Sequence, residues 1–161
     1  RIIKTLHPSY IVHTGDLVDN IKLEIYPASI SRYEKRVQIL LEILEQSDAK
    51  DIYLCIGNHD SKKILKRLVR RSEIVDGLEK ININSLEFTL SHFSREILKF
   101  PSKYNLFGHD LSVNNIKQYN QVYLNGIISI NIINLDTEKI YNLPYPFGTD
   151  ENRLGRGKAG F

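Results

Sequence analysis

The stretch Asp51-Ile52-Tyr53-Leu54-Cys55-Ile56-Gly57-Asn58-His59-Asp60 decides the fold. Ile52 to Ile56 form an unbroken run of apolar residues that halts at a glycine, as a strand buried on both faces does. A polar turn follows at once, and Ser61 to Arg71 then carries Ile64, Leu65, Leu68 and Val69 at helical spacing. The same order occurs upstream. Tyr10-Ile11-Val12-His13-Thr14 is a short β-rich run that stops at Gly15, with Pro8 before it as a breaker. Residues Ser31 to Gln46 then place Val37, Leu40, Leu41 and Leu44 on one helical face. Ser31 followed by Glu34 fits a capping box at the start of that helix.

Strand, helix, strand, helix and then a run of strands predict a layered α/β domain. The later strands are Leu86 to Ser91, Tyr104 to Phe107, Gln121 to Leu124 and Ile127 to Leu135. Asn125-Gly126, between the last two, predicts a two-residue hairpin turn. In layered α/β folds, reactive residues gather on loops at the carboxyl ends of strands.

Composition narrows the class further. With 161 residues, 42% of them apolar, and a net charge of +3, the chain suits one domain with a sizeable core. A single cysteine excludes a disulfide framework and a Cys-rich zinc cluster. No apolar run is long enough to cross a bilayer, and the first residues do not read as a signal peptide, so a cytoplasmic location is expected. The chain has no methionine and opens at Arg1 inside a core-like pattern. The expectation is a fragment or processed product, with residues 1–142 as the domain and 143–161 as an irregular segment rich in proline and glycine.

Four predicted strand ends bear groups able to hold a metal. They are Gly15-Asp16-Leu17-Val18-Asp19, Gly57-Asn58-His59-Asp60, Ser91-His92 and Gly108-His109. One carboxylate, one amide oxygen and two imidazoles make a mixed oxygen and nitrogen set suited to manganese, iron or zinc. Taken singly, each has a plainer reading: Asp16 as a loop cap, Asn58 to Asp60 as a turn and helix cap, His92 and His109 as structural histidines. Four such accidents in order are improbable.

The series Gly-Asp-x-x-Asp, Gly-Asn-His-Asp, Ser-His and Gly-His resembles the calcineurin-like metallophosphoesterase superfamily, over about residues 7–136. The resemblance implies a two-layer β sandwich flanked by helices, an α/β/β/α stack with two divalent metals on its loops. It implies that Asp16 bridges the metals and that Asn58, His92 and His109 complete the second metal's shell. His59 would act near the leaving group as general acid or charge stabiliser, with Asp19 orienting it. The expected substrate is a phosphomonoester or phosphodiester, attacked by metal-activated water.

Three departures qualify this. The family's opening Asp-x-His motif occurs nowhere in the chain, so the strand that carries it is missing and one metal rather than two is expected. Leu111 stands where many relatives have a second histidine. Asn20 stands where protein-phosphatase-type relatives carry arginine. A non-catalytic relative that kept the fold as a binding or scaffold module is the competing expectation, against which the pairing of His59 with Asp19 argues. The helix after Asp60 carries Lys62, Lys63, Lys66, Arg67, Arg70 and Arg71. Its outward charge suits either a solvated face or a field drawing in a polyanion, nucleic acid being one such partner. Gly155 to Ala159 lacks the spacing and the lead-in strand of a phosphate loop.

Overall fold

The computed structural model describes residues 1–18, 21, 23, 26–147 and 149. Asp19, Asn20 and residues 150–161 lie outside the described residues. Helix α1 (Ile2–Leu6) leads into β1 (Tyr10–His13), α2 (Ile30–Glu45), β2 (Asp51–Cys55), α3 (Lys62–Leu68) and β3 (Glu73–Val75). These strands form a parallel sheet in the order β1-β2-β3, with Tyr10 beside Asp51 and Tyr53 beside Glu73. Next come β4 (Leu78–Ile83), β5 (Leu86–Ser91), α4 (Ser94–Lys99), β6 (Tyr104–Phe107), β7 (Ile116–Gln118) and β8 (Gln121–Asn125). Their strands make a five-stranded mixed sheet in the order β4-β5-β6-β8-β7. A two-stranded antiparallel ribbon, β9 (Ile130–Ile133) with β10 (Ile140–Leu143), follows.

The alternation of side chains along each strand builds the layers. Ile52 and Leu54 of β2 face α2 and α3, where they pack with Tyr33, Val37, Leu41, Leu44, Ile64 and Leu65. Cys55, with Tyr53 packed alongside, faces the other way and joins Phe88, Leu90, Tyr104, Val122 and Leu124 of the five-stranded sheet. Helix α4 covers the outer face of that sheet, against β5 and β6, with Ile97 fully buried. The result is the expected α/β/β/α stack. Among the described residues no helix is long and apolar enough to cross a membrane.

Two local expectations are corrected. Helix α2 begins at Ile30 after a 3₁₀ turn over Pro27–Ser29, and no side chain caps it. Ser31 therefore lies inside the helix, and Glu34 reaches Arg67 of α3 at 2.6 Å instead of closing a capping box. The strand after Asn125-Gly126 does not fold back on β8. The Gly126 amide instead donates to the Phe107 carbonyl at 2.7 Å, and the Asn125 side chain donates to the carbonyls of Asp110 and Val113. A side chain on Gly126 would strike Thr14, so close approach, not a hairpin turn, requires glycine there. The tight hairpin lies elsewhere, between β4 and β5, where Asn84 and Ser85 both adopt positive φ (49° and 64°).

The basic helix is shorter than the expected Ser61 to Arg71: α3 ends at Leu68, Val69 turns extended, and Arg70 and Arg71 lie beyond it. Lys62 pairs with Asp76 and Arg67 with Glu34. The Arg71 guanidinium donates to the carbonyls of Glu45, Ser47 and Ala49, each at 2.8 Å, and so satisfies chain ends beyond α2. Glu45 returns the favour from the other side: its carboxylate accepts the amides of Arg70, Arg71 and Ser72 and the Ser72 hydroxyl at 2.7 Å. Burial alone would raise the Glu45 carboxyl. The four donors outweigh it and hold the group below its ordinary value.

A depressed pKa in the folded state contributes stability that is present above the unfolded glutamate value and lost as pH falls through the folded one. Glu45→Gln should therefore cost about 1–2 kcal/mol in urea unfolding at neutral pH. Below the ordinary glutamate value, about 4.3, the gap to wild type should close. A constant gap down to strong acid would show that the charge on Glu45 contributes nothing.

Candidate metal centre

Four strand ends converge on one point. Thr14, just past β1, lies against Gly108 and Gly126, which follow β6 and β8 of the other sheet. The Gly108 amide donates to the His92 carbonyl at 3.1 Å, joining the ends of β5 and β6. Asp16, His92 and His109 thereby bring one candidate ligand atom each within 4.8 Å of one another. Asn58, from the end of β2, adds its Oδ1 at 3.0 Å from His92 Nε2.

The His92 ring turns its Nδ1 proton away from the centre of the cluster. His92 Nδ1 lies 2.8 Å from the Thr14 carbonyl, which can only accept, so this nitrogen carries the hydrogen. In the neutral ring Nε2 then presents a lone pair toward Asn58 Oδ1 at 3.0 Å and Asp16 Oδ2 at 3.6 Å. The Asn58 Nδ2 group faces His59 instead, 3.2 Å from its Nε2. In the neutral ring these lone pairs meet with no hydrogen between them, a conflict that a proton on Nε2 or a metal cation removes. The donor set thus fits a divalent metal, and the Thr14 carbonyl is the kind of partner that fixes a ligating imidazole's orientation. His92 is almost fully buried. His109 is more open and sits edge-on to His92 and Phe93, with ring centres 5.0 and 4.9 Å away. Burial first, and then the neighbouring His92, push the His109 pKa down, toward the neutral form that binds metals.

Asp16 and His109 both take left-handed backbone angles, with φ of 54° and 58°. Such angles cost a non-glycine residue about 1–3 kcal/mol and persist only where surrounding contacts enforce them. For Asp16 those contacts are visible. Its amide donates to Asp60 Oδ2 at 2.8 Å, and its Oδ1 accepts the His59 amide at 3.0 Å. The other oxygen is left to face the centre.

The His59 side chain is half-buried and adjoins Asn58 at the mouth of the cluster. Asp19, the expected partner of His59, lies outside the described residues. Sequence reading missed Asp60, whose carboxylate also accepts the amides of Leu17 and Gly57, each at 2.9 Å. Its place inside the Gly57-to-Asp60 block is the available signal; the plainer alternative, a helix cap, does not hold, since the cap of α3 is Ser61, which accepts from Ile64. His13 points its Nδ1 at the Gly15 amide, 3.3 Å away, and burial lowers its pKa, in keeping with a structural histidine.

A cavity of about 1030 Å³ runs from Asp16, His92 and His109 along β1. Phe88, Leu106, Leu124 and Ile132 line it. β1 is the outer strand of its sheet, yet it carries Tyr10, Ile11 and Val12, apolar on both faces and only half-buried. Edge strands are usually blunted by charge or proline. This one has the composition of an interior strand.

The fold is an α/β/β/α stack with a candidate metal site at its strand ends. The sequence matches the calcineurin-like phosphoesterase family over residues 1–156, and the chain belongs to that family. No curated relative matches it. Among solved structures, an archaeal phosphodiesterase shares the fold at 17% identity and a TM-score of 0.55, covering 86% of this chain and 99% of its own. A Thermotoga maritima protein solved by NMR is similar at 15% identity and a TM-score of 0.45, with 86% and 97% covered. Zinc-complexed Vps29 from Entamoeba histolytica is similar at 14% identity and a TM-score of 0.35, with 73% and 72% covered.

Gly57 is where the two turns touch: a side chain there would run into the Asp16 carboxylate and amide. Gly57→Ala should therefore cost about 1–3 kcal/mol in thermal or urea unfolding and loosen the cluster. Gly77→Ala is the contrast, because nothing lies within 4 Å of its added carbon and only its φ of 91° is strained. Equal metal retention by both variants would mean that the Gly57–Asp16 contact does not shape the centre.

Proposed function

We propose that the chain hydrolyses a phosphomonoester or phosphodiester with a divalent metal held by Asp16, Asn58, His92 and His109. The observation that carries this reading is the convergence of oxygen and nitrogen lone pairs at the end of β1, β2, β5 and β6, with His92 Nδ1 turned outward. Manganese, iron and zinc all suit such a set. When bound, the metal would polarise a phosphoryl oxygen and acidify a water.

The remaining work falls to the chain's own groups. The His59 amide holds Asp16 Oδ1. The His59 ring stands at the mouth, where an imidazolium would give a proton to the departing oxygen or stabilise its charge. Asp19 is the partner we propose for orienting that ring. The four donors make up one metal's shell. A second metal needs further donors, and the groove beside the open edge of β1 suits an extended segment carrying Asp-x-His, paired to that edge. The openness of this edge is also what favours the second reading, a scaffold module that keeps the fold without turnover.

Metal analysis and hydrolysis of a generic aryl phosphate separate the two readings. The phosphoesterase reading expects about one manganese, iron or zinc per chain. His59→Ala should keep that metal while turnover drops roughly 10²–10⁴-fold, whereas Asp16→Asn should lose both. Metal-free, inactive wild type would leave the scaffold. A strand bearing Asp-x-His fused ahead of Arg1 should raise the metal content toward two and increase turnover; no change would remove the strand-addition part of the proposal.

A further inference from the structure

Helix α2 supplies none of the candidate ligands, yet one of its side chains reaches the turns that carry them. Tyr33 is completely buried, and its hydroxyl lies 3.0 Å from Asp60 Oδ1 and 3.0 Å from the Ser61 amide nitrogen. A phenol has one proton to give, so it donates to the carboxylate and accepts from Ser61.

Asp60 is the junction on the other side. Oδ1 takes the Leu17 amide along with the Tyr33 hydroxyl, and Oδ2 takes the amides of Asp16 and Gly57. One carboxylate therefore grips both turns, and among the described residues Tyr33 is the side chain that bonds it and helps fix its rotation. The Ser61 contact fixes the opening of α3 by the same hydroxyl. Asp16 is held at its left-handed φ of 54° by this grip, with Oδ2 facing His92.

We infer that Tyr33 is a positioning residue of the metal centre, acting through Asp60 to aim Asp16 and the Gly57–Asn58 turn. This rests on the reading of Asp16, Asn58, His92 and His109 as metal ligands. The distinction from mere packing is chemical: removing a single oxygen, with the ring left in place, should change how the site binds metal. Partners that orient ligands in this way typically set metal affinity by ten- to hundred-fold.

The test uses Co²⁺ as the probe, titrated into the full chain and read by its visible absorption, which reports both affinity and ligand geometry. Tyr33→Phe should weaken Co²⁺ binding about ten-fold or more and shift the absorption bands. Val37→Ala, one turn further along the same fully buried face, should lower the melting temperature but leave Co²⁺ affinity and spectrum at wild-type values. Asp60→Asn should weaken binding further, and Tyr33→Phe should add nothing to it in the double variant, because the tyrosine acts through that carboxylate. Unchanged binding in a folded Tyr33→Phe variant overturns the inference while the ligand set stands. Equal losses in Tyr33→Phe and Val37→Ala also overturn it, as a packing effect. Wild type that fails to bind Co²⁺, Mn²⁺ or Zn²⁺ removes the ligand set itself.

Discussion

The carboxylate of Asp60 is the constraint on which the rest of the site depends. It is enclosed between two glycine-bearing turns and accepts three backbone amides and one phenol. Burial pushes its pKa up, while the Gly57, Tyr33 and Leu17 donors oppose that rise. An unpaired carboxylate in such a place would be very costly, and a fully bonded one is stiff. The stiffness is what the site needs. Asp16 sits in a backbone region that a free loop would leave, and His59 donates its amide to Asp16 only while both turns keep their places. The direction of Asp16 Oδ2 is thus set by hydrogen bonds made behind it.

The two sheets divide the labour. The parallel sheet contributes Asp16, Asn58 and Asp60, the last of them bonded to Tyr33 of α2. The mixed sheet contributes His92 and His109 on short turns that cross-bond through Gly108 and the His92 carbonyl. Thr14 is the seam, since its carbonyl orients His92 while its side chain fills the space left by Gly108 and Gly126. A ligand set split across two sheets forms only when the sandwich is closed, so the site reports on the packing of the whole domain. The stacked pair Phe88 and Tyr104, with ring centres 4.8 Å apart, lies in the core between the sheets that must close for this.

Much of this was legible in the sequence, for reasons that differ by element. β1, β2 and α2 announce themselves because their apolar residues are uninterrupted or helically spaced, and burial rewards both patterns. The four blocks that converge at the candidate site were legible as such because each follows a strand and carries an unusual residue type. β3 and β4 were not, since Glu73 to Val75 is short and Leu78-Glu79-Lys80-Ile81 mixes charge into a strand that pairs on one side only. Asn125-Gly126 misled because a glycine that permits close approach to Thr14 looks, in one dimension, like a glycine that permits a turn. Tyr33 and Asp60 were invisible as a pair because 27 residues separate them, and only the packing of α2 on α3 brings them together.

The open edge of β1 completes the physical picture. A parallel strand is normally sheltered on both faces and both sides, because its ladder is paired and helices cover it. Among the described residues β1 is paired only to β2, and its other side faces the apolar groove. The groove is also lined by Asp16, His92 and His109, so whatever occupies it borders the candidate metal centre. Donors delivered there would arrive beside Asp16 Oδ2, the one oxygen that the bracing network leaves uncommitted to a backbone amide. The same network that aims it at His92 also fixes the point at which any such addition must meet the chain.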